Sequence, residues 1–318
     1  MRTPLLCPTD LLNLDLSSRT YIVTGGNSGI GLVTVEQLAK QGAHVVLACR
    51  RVEEGQQKAK ELLSQKLRGT IEVSKLDLAD LNSVRAFAKH FLENHTSLHG
   101  LVNNAGVMNT TFQRTKDGFE MQFGTNHLGH YLLTELLLPL IKKSAPSRIV
   151  CVSSCFHDKA MGYEGRIDFE DLNFEKRKYN GWVAYGQSKL ANLLHAKQLA
   201  RRLTGTGVTT ASVHPGWVRT NLIHHSMPRW VQDKVLRPFF KLGGMIEPWE
   251  GAQSTLYALL SPEAADHNGA FFSQTGIYRN PKANRGGWPL KSPNPQANDE
   301  TIAEKLDEVS RKLVGLGS

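Results

Sequence analysis

The chain has 318 residues, of which 40% are hydrophobic and 21% are charged, a composition that excludes a disordered chain and suits a globular protein with a sizeable core. Its 38 basic and 29 acidic residues give a formal charge of +9, which alone fits nucleic acid, an anionic membrane surface or a phosphorylated small molecule. The basic residues are scattered and no nucleic-acid-binding module is recognisable, so we expect no nucleic-acid partner.

The sequence gives no sign of a disulfide framework, a metal site or a targeting segment. The four cysteines form no CxxC pair, and neither His157 nor the adjacent histidines at 224–225 have a second ligand pair at metal-binding spacing. We therefore expect no disulfide framework and no metal site. MRTPLLCPTDLLNLDLSS at the amino terminus has no apolar run of signal-peptide or membrane-span length. The expectation is an intracellular, cytoplasmic protein with no signal peptide and no transmembrane segment.

Strand and helix patterns alternate along the chain. TYIVTGG at 20–26 predicts a strand, and IGLVTVEQLAKQG predicts a helix that ends at Gly42. The alternation recurs in AHVVLAC before VEEGQQKAKELLSQK, TIEVSKLD before LNSVRAFAKHFLEN, and LHGLVNNAG before a helical stretch to Lys143. SRIVCVSS and VTTASVHPG predict two further strands. Such βα units predict one α/β domain, a doubly wound parallel sheet with helices on both faces.

Two segments interrupt this alternation. Residues 155–183 are polar and charged, and we predict a solvated loop with a short hairpin near the substrate entrance. Residues 218–248 contain MPRWVQDKVLRPFFKLGGM, an apolar and basic pattern that indicates an amphipathic lid. Three interpretations of the lid stay open: packing on the domain, covering an apolar substrate, or peripheral contact with a membrane surface. Farther on, the apolar positions of DETIAEKLDEVSRKLVGL predict a terminal helix that docks on the core.

The glycine-rich stretch VTGGNSGIG lies directly between the first predicted strand and the first predicted helix. Glycines at 25, 29 and 31 allow a tight turn and a close approach of the backbone to a phosphate, while the helix terminus offers unpaired N–H groups. Glycines also end strands for structural reasons alone. The position between strand and helix nevertheless indicates a dinucleotide site.

Two arginines follow the second predicted strand. Folds of this type that bind NAD usually carry an acid there to hold the ribose hydroxyls, whereas this chain has Arg50 and Arg51. A guanidinium group binds phosphate through two parallel hydrogen bonds. The pair therefore favours NADP(H) over NAD(H), and two solvated arginines at a strand end are the alternative.

Tyr185 and Lys189 lie four residues apart in the helix predicted for AYGQSKLANLL, which puts them on one face. A free tyrosine has a pKa of about 10, and a neighbouring ammonium can lower it by roughly one to three units. Such a pair is suited to acid/base catalysis. For an isolated pair, a surface tyrosine beside a solvated lysine is the alternative.

Six motifs follow one another at successive strand ends: TGGNSGIG at 24–31, NNAG at 103–106, NHLG at 126–129, SS at 153–154, YGQSK at 185–189 and HPG at 214–216. In this order they resemble the short-chain dehydrogenase/reductase family over about residues 20–260. LACRR, NHLGHYLLTELLLPL, APSRIVCVSS and SKLANLLHAKQLARRL resemble its retinol dehydrogenase-type branch. The resemblance implies a Rossmann-type fold with a C-terminal lid, and an NADP(H)-dependent enzyme that interconverts an alcohol and a carbonyl.

The resemblance also implies roles for individual catalytic residues. Tyr185 is the expected acid/base, and Lys189 lowers its pKa and holds the nicotinamide ribose. Ser154, in preference to Ser153, hydrogen-bonds the substrate oxygen. Asn126 positions a water of the proton relay. The 31 positions between Ser154 and Tyr185 exceed the usual family spacing because of the inserted segment, which also occurs in the retinol dehydrogenase-like branch.

Cofactor contacts follow from the same resemblance. Asp77 is expected to bind the adenine amino group, Asn103 the adenosine ribose and Thr220 the nicotinamide carboxamide. The full expected set is Gly25, Asn27, Ser28, Gly29, Ile30, Gly31, Arg50, Arg51, Asp77, Leu78, Asn103, Ala105, Gly106, Tyr185, Lys189, Pro215, Gly216, Val218 and Thr220.

The sequence also leads to expectations about the substrate, the oligomeric state and the domain limits. Members of the branch often begin with an apolar anchor, which this chain does not show, so we expect an apolar aldehyde or ketone as readily as a retinoid. A non-catalytic NADP(H)-binding regulatory or scaffold protein and a lipid-binding membrane-surface protein are the alternatives. A homo-oligomer is expected by analogy. The predicted division is a lead-in at 1–19, a dinucleotide-binding and catalytic domain at 20–275, and a tail with a helix at 276–318.

Overall fold

The computed structural model describes residues 3–160, 162–218, 244–278 and 280–317. Seven strands form one sheet in the order β3-β2-β1-β4-β5-β6-β7, and every adjacent pair is parallel. The strands are β1 (Thr20–Thr24), β2 (His44–Cys49), β3 (Thr70–Lys75), β4 (Gly100–Asn103), β5 (Ser147–Val152), β6 (Val208–His214) and β7 (Phe271–Ser273). The first six agree with the sequence patterns. The three residues of β7 are too few to show a strand period.

Several of the described helices begin at a residue whose side chain caps them. Asp80, Asn180 and Asp299 each accept hydrogen bonds from two N–H groups of the helix that follows, as is typical of N-cap residues. The α-helices are α1 (Gly29–Lys40), α2 (Val52–Leu63), α3 (Leu81–Asn94), α4 (Met121–Phe123), α5 (Gly129–Lys143), α6 (Gly181–Arg202), α7 (Pro248–Leu260), α8 (Pro262–Asp266) and α9 (Glu300–Leu313). A π-helical turn, Gly124–Leu128, joins α4 to α5.

Alternating side chains of the sheet pack into two hydrophobic cores, one on each face. In β1, Ile22 packs in a cluster with residues of α3, α5 and α6, whereas Tyr21 and Val23 pack in a second cluster with residues of α1 and α7. Because successive side chains of a strand point to opposite faces, each face of the sheet needs its own layer of helices. The predicted doubly wound α/β domain is confirmed.

The strand order places one edge of the sheet where a ligand can bind. The chain moves outward from β1 through β2 to β3 and then returns to β4 on the other side of β1. In open α/β sheets, ligands bind beyond the carboxyl ends of the strands at such a reversal. Here the reversal brings the end of β1, at Thr24, beside the end of β4, at Asn103.

The inserted segment between β5 and α6 is partly packed, so the expected solvated loop was wrong for its buried positions, whereas charged residues such as Glu164 and Lys176 are exposed. His157, Ile167 and Phe174 are buried, and His157 Nε2 lies 2.6 Å from Ser292 Oγ in the carboxyl-terminal segment. An isolated antiparallel bridge, Ala160 with Tyr163, is the short hairpin. The sequence did not indicate the packing of His157 because Ser292 lies 135 positions away along the chain.

Most of the predicted lid lies outside the described residues. Val218 and residues 244–248 are described, and Val218 is joined to Ile246 by an isolated parallel bridge. Both side chains are buried in the core beside α7.

The terminal helix α9 docks on α5 and α6, as predicted, through buried Leu306 and an ionic cluster. The carboxylate of Glu135 in α5 accepts hydrogen bonds from both terminal nitrogens of Arg202, at 2.8 and 2.9 Å. It also accepts one from Arg311 of α9. Arg202 bonds Asp307 at 3.0 Å as well. Burial alone would raise the pKa of the Glu135 carboxyl, but Arg202 and Arg311 hold it below its usual range.

Glu135→Gln is expected to lower the free energy of unfolding by about 3 kcal/mol, because breaking a buried ion pair leaves its partner charges uncompensated. Urea unfolding of both proteins measures the difference. Glu304→Gln is the matched control, since Glu304 pairs with Arg201 at the surface and exposed pairs contribute less than about 1 kcal/mol. Equal losses in the two variants would contradict the assignment.

Candidate active site

The turn after β1 is shaped by two glycines. Gly25 has a φ of +64°, and a Cβ there would lie 3.0 Å from the Ala105 backbone. A Cβ on Gly31 would lie 2.5 Å from both Asn104 Nδ2 and the Gly25 carbonyl oxygen. Ser28 is the N-cap of α1, yet its side chain makes no capping hydrogen bond. Among the described residues, the first turn of α1 therefore presents N–H groups and a Ser28 hydroxyl without protein partners beyond the end of the sheet.

A buried hydrogen-bond chain links three segments of this edge. Thr24 Oγ1 accepts the N–H groups of Asn104 and Ala105, each at 2.9 Å. It also lies 2.8 Å from Nε2 of His130, whose Nδ1 is 2.9 Å from the Asn126 carbonyl oxygen. A carbonyl only accepts, so Nδ1 carries the proton, and burial lowers the pKa of His130 to about 3, which keeps the ring neutral. Thr24 then donates to Nε2 at 2.8 Å in preference to the Val102 carbonyl, which lies 3.3 Å from its Oγ1.

Asn126 lies in the π-helical turn, a feature that often occurs at functional sites. Its Nδ2 donates to the Val107 carbonyl and to Ser188 Oγ, both at 2.9 Å, and its Oδ1 accepts the Val107 N–H at 2.8 Å. The turn thus holds the loop after β4 against α6. A Cβ on Gly106 would lie 3.1 Å from Asn126 Oδ1 and 3.4 Å from Lys189 Nζ, so these three residues meet at one point.

Lys189 is a buried ammonium with few partners. It is 3% exposed, and among the described residues its Nζ donates one hydrogen bond, to the Val152 carbonyl at 3.0 Å. Burial lowers the pKa of Lys189 to about 8. An ammonium carries three donors, so two of its protons can serve a ligand beside Gly106.

Tyr185 lies one helical turn before Lys189, and the Lys189 Nζ is 5.6 Å from the centre of its ring. Burial raises the pKa of Tyr185 above its usual value, and a side-chain hydrogen bond with Ser154 opposes the rise. The two serines after β5 differ: Ser153 Oγ donates to the Lys189 carbonyl at 2.7 Å, whereas Ser154 Oγ accepts the Phe156 N–H at 3.3 Å. Ser153 holds α6 in place, and Ser154 meets the phenol.

The predicted cofactor-binding arginines lie at the exposed start of α2. Arg51 Nε is 2.7 Å from Glu54 Oε1, and Asn27 Nδ2 is 3.4 Å from the other oxygen of Glu54. Arg50 is exposed and has no ion-pair partner in the part of the chain that the structure describes.

The remaining predicted residues follow β3, β4 and β6. Asp77 Oδ1 accepts the Ala79 N–H at 3.0 Å, and Leu78 beside it is buried. Asn103 points inward, with Nδ2 bonded to Thr134 Oγ1 at 2.9 Å and Oδ1 unpartnered among the described residues. Positions 215, 216 and 218 follow β6, with Gly216 at a φ of +90°, and position 220 lies outside the described residues.

Residues 19–165 match the family model for short chain dehydrogenases. Retinol dehydrogenase 11 of Homo sapiens is 46% identical over 304 residues, covering 95% of this chain and 88% of the relative. The chain belongs to the short-chain dehydrogenase/reductase family, in its retinol dehydrogenase-like branch. Retinol dehydrogenase 13 of Homo sapiens is 42% identical, and the match covers 98% of this chain and 88% of that relative. This short-chain dehydrogenase is therefore an oxidoreductase acting on alcohol and carbonyl groups.

Solved structures agree with the fold of this dehydrogenase. An uncharacterised protein of Mycobacterium paratuberculosis superposes with a TM-score of 0.73 at 36% identity, covering 98% of each chain. L-sorbose reductase of Gluconobacter frateurii, solved with NADPH and L-sorbose, has a TM-score of 0.69 at 20% identity over 84% of this chain and 99% of its own. In the described part of the dehydrogenase, no helix combines the length and the apolar character that a membrane crossing requires.

Sequence reasoning missed three residues that organise the site of this dehydrogenase: Thr24, Asn104 and His130. Each had a signal in the sequence. Thr24 lies in the TGGNSGIG motif and Asn104 in the NNAG motif. His130 follows Asn126 by one helical turn. What the sequence could not supply is the distance between β1 and α5, which is set by the packing of the helix on the sheet.

Proposed function

We propose that the protein is an NADP(H)-dependent carbonyl reductase whose acid is Tyr185. The proposal rests on one buried cluster. In it Tyr185 forms a hydrogen bond with Ser154, and the Lys189 Nζ lies 5.6 Å from the centre of the Tyr185 ring. Burial keeps the phenol protonated at neutral pH, which suits a proton donor to a carbonyl more than a base for an alcohol. Asn126 supports this cluster because its amide bonds Val107 and Ser188 and so holds the loop after β4 beside α6.

The residues fit a nicotinamide dinucleotide. The uncapped Ser28, with Gly25, Asn27, Gly29, Ile30 and Gly31, would hold the pyrophosphate at the start of α1. Lys189, with two ammonium protons free among the described residues, would hold the nicotinamide ribose beside Gly106. Asp77, Leu78, the backbone at Asn103, and Ala105 would line the adenosine side, and Pro215, Gly216 and Val218 the nicotinamide side. The contact expected of Thr220 lies outside the described residues and stays a prediction.

In carbonyl reduction, Ser154, Tyr185 and Lys189 each have a separate role. The cofactor, when bound, supplies the hydride. Ser154 Oγ donates a hydrogen bond to the carbonyl oxygen of the substrate, so that negative charge developing there is stabilised. Tyr185 Oη gives its proton to the same oxygen, and the alcohol forms. The ammonium of Lys189 favours the phenolate left behind and, through the water that we assign to Asn126, returns a proton to it.

An aromatic surface beside Tyr185 supports an apolar substrate. Phe156 meets the Tyr185 ring edge-on at 5.6 Å and stacks on Trp182 at 4.8 Å, and Tyr163 stacks on the same indole at 6.3 Å. Flat, conjugated or aliphatic carbonyl compounds gain contact with such rings, whereas sugars lose hydration there. Retinaldehyde belongs to this class, and the relatives named retinol dehydrogenases support its inclusion among the candidates.

Tyr185→Phe is expected to lower the kcat for carbonyl reduction by about 100-fold or more, because it removes the proton donor, while NADPH binding persists. Absorbance of reduced nicotinamide measures turnover with apolar aldehydes, ketones and retinaldehyde, and cofactor fluorescence measures binding. Tyr257→Phe, on α7 away from the site, is the matched control and keeps wild-type turnover. If wild type binds NADPH tightly and reduces none of the candidates, the non-catalytic scaffold function gains support instead.

Carbonyl reduction is expected to be constant below pH 8 and to decline above it. Because the pKa of Lys189 is about 8, the ammonium is charged below that pH and loses its charge above it, which makes Tyr185 a weaker acid. The pH profile of kcat/KM tests this. In Lys189→Arg the charge persists to higher pH, so the decline moves upward even if the maximum falls. An unchanged profile would rule out Lys189 as its source.

Arg50→Gln is expected to raise the Kd for NADPH by about 10- to 100-fold and to leave the Kd for NADH nearly unchanged, since a charged hydrogen bond to a phosphate is worth about 1.5–3 kcal/mol. Fluorescence titration measures both constants. Arg51→Gln is the comparison, because Arg51 is already paired with Glu54 and should matter less. A loss of NADH affinity equal to that of NADPH would exclude a 2′-phosphate contact.

A further inference from the structure

Three side chains with metal-binding atoms meet at the edge of the sheet opposite the active site. His44 begins β2, Glu72 lies in β3, and His95 directly follows α3. His44 Nε2, His95 Nε2 and Glu72 Oε2 lie within 4.8 Å of one another. Since β2 rises about 3.3 Å per residue, His44 lies about 16 Å from Cys49 at the opposite end of that strand. The cluster is therefore separate from the dinucleotide site.

The spacing of the three atoms matches a tetrahedral metal site. Glu72 Oε2 is 3.3 Å from His44 Nε2 and 3.1 Å from His95 Nε2, and the two nitrogens are 3.3 Å apart. Ligands at the usual Zn–N and Zn–O distances of about 2.0–2.1 Å lie roughly 3.3 Å from one another in a tetrahedron. One ion can thus reach all three atoms without a rearrangement of the side chains.

Neighbouring groups orient both imidazoles toward this point. His95 Nδ1 lies 3.2 Å from the Phe91 carbonyl oxygen, so Nδ1 donates and a neutral ring presents the lone pair of Nε2. The Phe91 ring stacks on His95 at 4.2 Å. His44 Nδ1 lies 2.7 Å from Thr70 Oγ1, an acceptor for the same tautomer. Histidines that bind metals almost always donate their second nitrogen in this way.

The three groups lack a donor among themselves when both imidazoles carry their proton on Nδ1. When both imidazoles are neutral with Nδ1 protonated, the two Nε2 atoms and the carboxylate are all acceptors. At about 3 Å such acceptors repel one another unless a proton or a metal ion lies among them. The side chains are 33%, 35% and 13% exposed for His44, Glu72 and His95, so water can occupy a fourth position.

We propose that His44, Glu72 and His95 form a binding site for Zn²⁺. Two imidazole nitrogens, one carboxylate oxygen and an open position form a ligand set that zinc accepts. The ion joins the start of β2, strand β3 and the end of α3, so its role is to stabilise this end of the sheet. The sequence could not indicate the site because its ligands are 28 and 23 positions apart.

Calorimetric titration of the chelator-treated full chain with ZnCl₂ tests the proposal. One equivalent is expected to bind, with a Kd that rises at least about 100-fold in His44→Gln and in His95→Asn. Thr70→Val keeps all three ligands and is expected to weaken binding about 10-fold through the second nitrogen of His44. Zn²⁺ should raise the Tm of wild type and of neither histidine variant, and carbonyl reductase turnover should stay unchanged.

Two controls separate this site from other zinc-binding groups. His90 is an exposed histidine of the same helix, α3, and His90→Ala is expected to bind zinc as wild type does. The paired substitution His224→Ala and His225→Ala tests the adjacent histidines. Co²⁺ bound in place of Zn²⁺ should give the visible absorption of a tetrahedral ion. Absence of binding, its persistence in His95→Asn, or its loss in the 224–225 variant would overturn the proposal.

Discussion

The hydrogen bond between Thr24 and His130 is the contact on which the geometry of the active site depends. It joins the end of β1 to α5, and through the same two side chains it fixes the loop after β4 and the carbonyl of Asn126. Thr24, Asn126 and His130 are buried, so their polar groups must find partners within the protein. The glycine turn, the NNAG loop and the π-helical turn are therefore held as one unit, although they come from three separate parts of the chain.

Burial then determines the chemistry that this unit can perform. The same loss of water that raises the pKa of Tyr185 lowers the pKa of Lys189, because an apolar environment disfavours the charged form of either group. The consequence is a protonated phenol beside an ammonium that titrates near physiological pH. Ser154 partly offsets the effect on Tyr185 by hydrogen bonding, and Ser153 secures the helix that carries both residues.

A parallel sheet separates its two ends into different environments, and this protein uses both. The carboxyl ends carry the glycine turn and the catalytic cluster, whereas the amino ends of β2 and β3 carry His44 and Glu72 with His95. The two clusters lie at opposite ends of the strands, so an ion at one end affects stability without contacting the other. The ionic cluster around Glu135 secures a third part of the molecule, the docking of α9 on α5 and α6.

The sequence alone determined the parallel α/β fold, the six longer strands and the family, because hydrophobic periodicity and short motifs are local properties of the chain. It also predicted catalytic roles for Tyr185, Lys189, Ser154 and Asn126, which lie within such motifs. Only the tertiary structure decided that the inserted segment packs against the carboxyl-terminal segment and that three distant side chains converge near His44. Those outcomes depend on distances between segments far apart in sequence, which arise from the packing of helices on the sheet.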